Sequence, residues 1–188
     1  MKVIGLTGTM GSGKNTVMQM LLKKYTAYHV TLSNVIRGEI EKKRGGGLNR
    51  TSLQDMGDGI RKKYGGHILA LVAVEYLPRD KQMIIVDGIR HPEEVMWLKK
   101  KFGSDFHMIA VDAPVEARFE RVQKRMNKKD PKTLEEFKIA DARDKGEGQP
   151  PYGQHVADCV AISDFTVQNA GTQKELQNQV AEVMQQII

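Results

Sequence analysis

The stretch Gly8-Thr9-Met10-Gly11-Ser12-Gly13-Lys14-Asn15-Thr16 lies directly behind the apolar run Val3-Ile4-Gly5-Leu6 and ahead of a helical pattern, Thr16-Val17-Met18-Gln19-Met20-Leu21-Leu22. A strand that stops in a glycine-rich turn and re-emerges as a helix aims several backbone N–H groups, the positive helix end and one lysine at a single point. Such a turn is a cradle for a polyphosphate. Gly8, Met10, Gly11, Ser12, Gly13, Lys14, Asn15 and Thr16 are therefore the expected nucleotide contacts, with ATP and Mg²⁺ as the expected cofactors. Where many such loops carry a hydroxyl against the metal, this one carries Asn15, with Thr16 one place further on. An amide oxygen is a weak magnesium ligand, and magnesium readily keeps its waters and leans on phosphates and carboxylates. The cation is expected to be held mostly indirectly.

Five strand-like runs recur along the chain, at Lys2–Thr7, Tyr28–Leu32, Met83–Asp87, Phe106–Asp112 and Phe165–Asn169, each followed by a helix-like segment. Strands alternating with helices predict a three-layer α/β/α sandwich on a five-stranded parallel sheet, built as one domain over residues 1–188. Helices are predicted at Lys14–Tyr25, Ser33–Lys43, Thr51–Tyr64, His67–Leu77, Pro92–Phe102, Pro114–Met126, Thr133–Asp144 and Thr172–Ile187. Ser33, Thr51, Thr133 and Thr172 serve as N-cap signals, Glu136 and Glu175 complete capping boxes, and Pro92 and Pro114 suit first turns. Two excursions interrupt the alternation. One is helical, about 33–77, with a Gly45-Gly46-Gly47 break; the other is polar, about 127–153, ending in a turn-rich Gly146–Gly153. Substrate-binding insertions and lids live in such excursions.

Composition narrows the partner. The 29 basic against 23 acidic residues leave a net charge of +6, which favours an anionic ligand. Lysine clusters such as Lys99-Lys100-Lys101 and Lys128-Lys129 read as solvated helix ends or loops. With only 6% aromatic residues, scattered, the interleaved basic and stacking pattern of a nucleic-acid groove is missing, so nucleotides suit the balance better than polynucleotides. No apolar run reaches a membrane span and no leader pattern precedes the first strand, so a cytoplasmic protein, monomeric or homodimeric, is expected. The single Cys159 lies in an apolar stretch and reads as a structural thiol; the five histidines show no zinc spacing.

Phosphoryl transfer between two anions requires positive groups on both sides of the moving group and closure against water. Candidates occur in the right places. Ser33 and Arg37 follow the second strand, Arg61 lies on the next helix, and Asp87-Gly88-Ile89-Arg90 follows the third strand. Arg118, Arg121 and Arg125 recur three and four apart ahead of the polar excursion, and Arg143 lies within it, flanked by Asp141 and Asp144.

The Gly-Lys-x-Thr loop, the passage ending in Arg37 and the Asp-Gly-x-Arg turn resemble, in order, the ATP loop and the two monophosphate-binding segments of the nucleoside monophosphate kinases. Similar phrases occur in a group of adenylate-kinase-related proteins and in dephospho-coenzyme A kinases. The resemblance implies that Asp87 holds magnesium through water and that Arg37 and Arg90, with Ser33 and Arg61 nearby, bind the acceptor. It further implies that Arg121 and Arg125 serve the adenine and then the phosphates, and that Asn169 to Gly171 form the adenine-edge loop. The catalytic set would be Lys14, Arg90, Arg121, Arg125 and Arg143, with Asp87 and Asn15 as metal-site residues. The expected activity is transfer of the γ-phosphoryl of ATP to a nucleoside or deoxynucleoside monophosphate. The alternatives are a dephospho-coenzyme A kinase, whose family has an aspartate where this chain has Thr31, Ser33 and Asn34, a kinase of hydroxymethylated bases in DNA, and a non-catalytic nucleotide-binding switch.

Overall fold

The computed structural model describes residues 1–41, 50–75, 77–78, 80–125 and 130–188, with the side chains of 37–41, 50 and 51 left out. The Gly45–Gly47 break and Lys128-Lys129 lie outside the described residues.

Five strands, β1 (Lys2–Thr7), β2 (Ala27–Thr31), β3 (Met83–Asp87), β4 (Phe106–Asp112) and β5 (Phe165–Gln168), form one sheet in the order β2-β3-β1-β4-β5. Every pairing is parallel. Because successive side chains leave a strand on opposite faces, the sheet feeds two cores. Val3, Ile84, Val86, Phe106 and Met108 enter one, and Ile4, Leu6, Ile85, Ile109, Val111 and Val167 enter the other. Helices α1 (Lys14–Lys24) and α9 (Gln173–Ile187) cover the second face through Val17, Leu21, Leu176, Val180 and Met184. The first face is covered by α2 (Leu32–Glu41), α4 (Ile68–Glu75), α5 (Pro92–Phe102) and α8 (Val156–Ala161). This is the expected three-layer α/β fold.

The remaining helices build the two excursions. Helix α3 (Arg50–Tyr64) follows α2 in the first, while α6 (Val115–Lys124) leads into the second, which contains α7 (Leu134–Lys145). Phe137 of α7 is fully buried against Met10 and Val122, so the polar excursion packs onto the phosphate loop through a small apolar core of its own.

Some boundaries shift for identifiable reasons. Leu32 already belongs to α2, so Ser33 is the helix's second residue and not its N-cap, and Thr51 likewise falls inside α3. Pro114 stands at the N-cap of α6 with ψ 146, outside the helical region. Thr133 and Thr172 make the capping boxes expected with Glu136 and Glu175. Helix α8 is not among the predicted helices, because six residues carry too little periodicity; burial of Val156 and Cys159, three apart, turns its one apolar face to the sheet. Among the described residues no helix is long and apolar enough to cross a membrane.

Candidate functional site

The phosphate loop, the Asp87–Arg90 turn and helix α6 with Arg121 follow strands β1, β3 and β4, which are neighbours in the sheet. The loop after β1 is shaped by close backbone approaches. A Cβ on Gly11 would lie 2.5 Å from the carbonyl oxygen of Arg118, and one on Gly13 would lie 2.1 Å from Nδ2 of Asn169. Both glycines have positive φ, 77° and 104°, a region other L-residues rarely adopt. Gly13 caps α1 in the left-handed conformation, and the first turn carries no acidic residue, which leaves the positive helix end for an anion. Lys14 Nζ donates to the carbonyls of Gly8 and Thr9, the latter at 3.0 Å, so the ammonium lies over the loop. Asn15 and Thr16 are exposed on the first turn of α1.

Arg121 and Asn169 join this loop to the end of β5. Arg121 Nη2 donates to the Asn169 carbonyl at 2.6 Å and Nη1 reaches the carbonyls of Gly11 and Ser12 at 3.4 Å. Asn169 Nδ2 donates to the Ser12 carbonyl at 2.8 Å. The arginine of α6 thus lies between the phosphate loop and the loop holding Asn169 and Gly171. Arg125, one turn on, is half exposed and pairs with Asp130 at 3.3 Å.

Asp87 ends β3, in register with Leu6 of β1 and Thr31 of β2. Its Oδ1 is buried without a hydrogen-bond partner, as are the hydroxyls of Thr9 and Ser12. Its Oδ2 lies 4.0 Å from Nε2 of His29, which in turn contacts the Thr31 hydroxyl at 3.1 Å. A buried carboxylate oxygen with no donor is costly unless something cationic meets it. This donor set fits a Mg²⁺ ion that takes one carboxylate and otherwise relies on phosphates and water. Among the described residues no cluster of three metal-ligating side chains occurs, so a protein-built cage is not on offer.

The turn after Asp87 depends on a residue that sequence reasoning passed over. Glu94, fully buried in the first turn of α5, accepts from the backbone N–H groups of Arg90 and His91 at 2.8 and 3.1 Å. Its other oxygen accepts from Arg61 at 3.0 and 3.2 Å. Thr7 adds a bond to the Ile89 carbonyl at 2.9 Å. The signal was present in His91-Pro92-Glu93-Glu94: a proline at the first helical position with a glutamate two places on is a capping box, here with His91 as the cap.

This placement corrects the expectation for Arg61. Its side chain is 2% exposed and held by Glu94 and by Asp58, the latter at 3.4 Å, so it braces α3 against α5 and does not face a ligand. Arg143 is corrected similarly. Its partners are Asp55 at 2.5 Å and Asp58 at 3.4 Å on α3, not the flanking aspartates, so it fastens the second excursion to the first. Burial raises the Asp58 carboxyl above its ordinary value, and the charges of Arg61 and Arg143 only partly offset this. Arg118 turns away from the face shared with Arg121 and Arg125: it is buried and forms a bidentate pair with Asp141 of α7. Arg90 is partly exposed, with Nη1 3.2 Å from Oε1 of Gln154 and 3.6 Å from Oδ1 of Asp144. Ser33 lies at the start of α2 beside the end of β2; the Arg37 side chain lies outside the described residues.

Cys159 is fully buried, and burial pushes its thiol well above the ordinary value. Native protein should resist a thiol-specific reagent for as long as it stays folded and react stoichiometrically in denaturant; fast labelling of the native form would contradict the placement.

Sheet order, glycine-rich loop and strand-end carboxylate together give the chain a kinase-like P-loop fold. A family model described as an AAA domain matches residues 7–138. A UPF0200 protein of Methanocaldococcus jannaschii is 30% identical, the match covering 100% of this chain and 91% of that protein. A UPF0200/UPF0201 protein of Archaeoglobus fulgidus is 31% identical over 98% of this chain, which spans only 55% of that relative's length. The chain belongs to the AAA-domain family of P-loop proteins and, by these relatives, to the UPF0200 proteins. Among solved structures, TT1252 from Thermus thermophilus is similar at TM-score 0.60 and 19% identity, over 100% of this chain and 98% of that one. A shikimate kinase from Acinetobacter baumannii, in complex with shikimate, is similar at TM-score 0.54 and 19% identity, over 100% and 93%. These likenesses are of fold.

Proposed function

We propose that the protein is an ATP-dependent phosphotransferase whose acceptor is a nucleoside or deoxynucleoside monophosphate. The observation that supports this most is the register at the sheet edge. The phosphate loop after β1, the Asp87 carboxylate with its unpartnered oxygen and the Arg90 turn follow neighbouring strands β1 and β3, so donor, metal and acceptor anion would meet at one place.

In this reading the backbone of Gly8 to Gly13 and Lys14 hold the donor's phosphates, and Arg121 with the Asn169 loop holds its adenosine end. Asp87, with Asn15 at most a weak contributor, would hold Mg²⁺, which when bound neutralises charge spreading over the phosphates. Arg37 and Arg90 receive the acceptor's phosphate. Because that phosphate is already an anionic nucleophile, no strong base is needed, which agrees with Thr31 at the end of β2 and Ser33 and Asn34 just beyond it in place of a carboxylate. Positioning and fixed positive charge carry the rate.

One observation favours a hydroxyl acceptor as the second reading. Arg61 and Arg143, counted toward the acceptor or the transferring phosphoryl, are held by carboxylates, which lowers the positive charge available to a dianion. Release of ADP from Mg²⁺-ATP, followed over a panel of nucleoside monophosphates, dephospho-coenzyme A and shikimate, separates the readings. Selective stimulation by a monophosphate is expected. Stimulation by a hydroxyl acceptor alone would install the second reading, and ATP binding without any stimulation would leave a nucleotide-dependent switch.

A further inference from the structure

Arg90 does not reach the site on a loose stem. Two segments distant in sequence meet its guanidinium, and a third bonds to both of them. Asp144, from the last turn of α7, has a completely buried side chain 3.6 Å from Nη1, while the Arg90 side chain remains 26% exposed. Gln154, from the segment ahead of α8, is 5% exposed and accepts from the same Nη1 at 3.2 Å. Gln54 of α3, 7% exposed, donates to Asp144 at 2.7 Å and also reaches Gln154 at 3.5 Å. On the backbone side, the Arg90 carbonyl accepts from the N–H of His155 at 2.8 Å, and Glu94 holds its N–H.

The holders are themselves fixed. Helix α7 is anchored by fully buried Phe137 and by the Asp141–Arg118 pair, so Asp144 cannot follow a moving arginine. Nη1 of the guanidinium is thereby gripped by two buried groups, while the side chain keeps part of its surface exposed. An arginine that must grip a phosphate loses rotamer freedom on doing so, and a group ordered beforehand avoids that loss at the moment of binding.

We infer that Asp144 and Gln154 are positioning residues for Arg90, holding its guanidinium ready for the acceptor; the inference rests on reading Arg90 as an acceptor ligand. Asp144 acts through its charge and through Gln54, which ties the grip to the acceptor-side insertion. Gln154 acts without charge. The pair therefore sets acceptor affinity and leaves the donor side alone.

Steady-state kinetics on the full chain decide the matter, with Mg²⁺-ATP and whichever panel acceptor wild-type protein uses. Asp144→Asn keeps an oxygen for Gln54 and removes the charge beside Arg90; Gln154→Leu removes an acceptor without touching charge, and serves if the first variant folds poorly. The expected result is a KM for the acceptor raised about tenfold in Asp144→Asn and several-fold in Gln154→Leu, with KM for ATP within about twofold of wild type. An unchanged acceptor KM, or parallel rises for both substrates, would make the cluster merely structural and overturn the inference. A lowered acceptor KM in Asp144→Asn would overturn it too, by making the carboxylate a competitor for Arg90. If wild type uses a hydroxyl acceptor and no monophosphate, the nucleotide reading fails while the KM comparison on that acceptor still judges the cluster. If wild type transfers to nothing, both fail.

Discussion

Lys14→Ala should lower kcat for phosphoryl transfer by about 10²–10³-fold while leaving the thermal midpoint close to that of wild type. The size follows from what removing one preorganised charge from a phosphoryl or acyl transfer site typically costs. The separation of activity from stability follows from the lysine's contacts. Among the described residues its Nζ bonds to the carbonyls of Gly8 and Thr9 within its own loop, and the loop's shape rests also on the positive-φ glycines and the Asn169 and Arg121 bonds to its backbone. Single-turnover rates and a melting curve on the same preparation check both halves. A variant that keeps more than a tenth of the activity would remove the lysine from the transfer step.

The second large effect is on stability. Arg118 and Asp141 are 3% and 2% exposed and hold each other through two hydrogen bonds, and Lys145 adds a contact to the same carboxylate at 3.1 Å. Removing one member strands the other in the interior, which typically costs about 3–5 kcal/mol. Arg118→Ala should therefore lower the urea midpoint sharply. It should also weaken ATP binding, because Arg118 donates to the carbonyls of Met10 and Ala113 and its own carbonyl lies against Gly11.

The same pair sets an acid dependence. Burial alone would raise the Asp141 carboxyl, but its hydrogen bond to Arg118 and the charges of Arg118 and Lys145 outweigh that and hold it below its ordinary value of 3.8. A carboxyl depressed in the native state stabilises the fold above the unfolded value and loses that contribution as pH falls through the lower native value. Wild-type stability should therefore drop on acidification below about pH 4, and Asp141→Asn should show a shallower drop. Equal slopes in urea titrations at several pH values would count against the pair.

The strands and the phosphate loop were legible in the chain because both are local. Runs such as Met83–Val86 and Met108–Val111 are continuous apolar segments, and the loop is a motif with a fixed context. Charge partners were not legible. Arg61 and Arg90 look alike in sequence, each a lone arginine beside glycine and aspartate, yet one is buried against Glu94 and the other stands at the sheet edge. What separates them is a glutamate 33 positions away, brought in by the packing of α3 on α5. Arg143 finds its partners on α3 and not in the aspartates that flank it in sequence, because helical geometry points side chains one and two places away onto other faces. Ser33 misled for a smaller reason: β2 passes into α2 at Leu32 with no intervening cap, so the usual start signal fell inside the helix.

The central claim is that the γ-phosphoryl of ATP moves to the phosphate of a nucleotide. Phosphorus NMR of the products, formed from Mg²⁺-ATP and the stimulating acceptor, tests it most directly, since the new bond itself is observed. A new phosphorus–phosphorus coupled pair belonging to a nucleoside diphosphate of the acceptor's base, absent with Lys14→Ala, is the predicted result. A new uncoupled phosphomonoester signal, or inorganic phosphate alone, would contradict it.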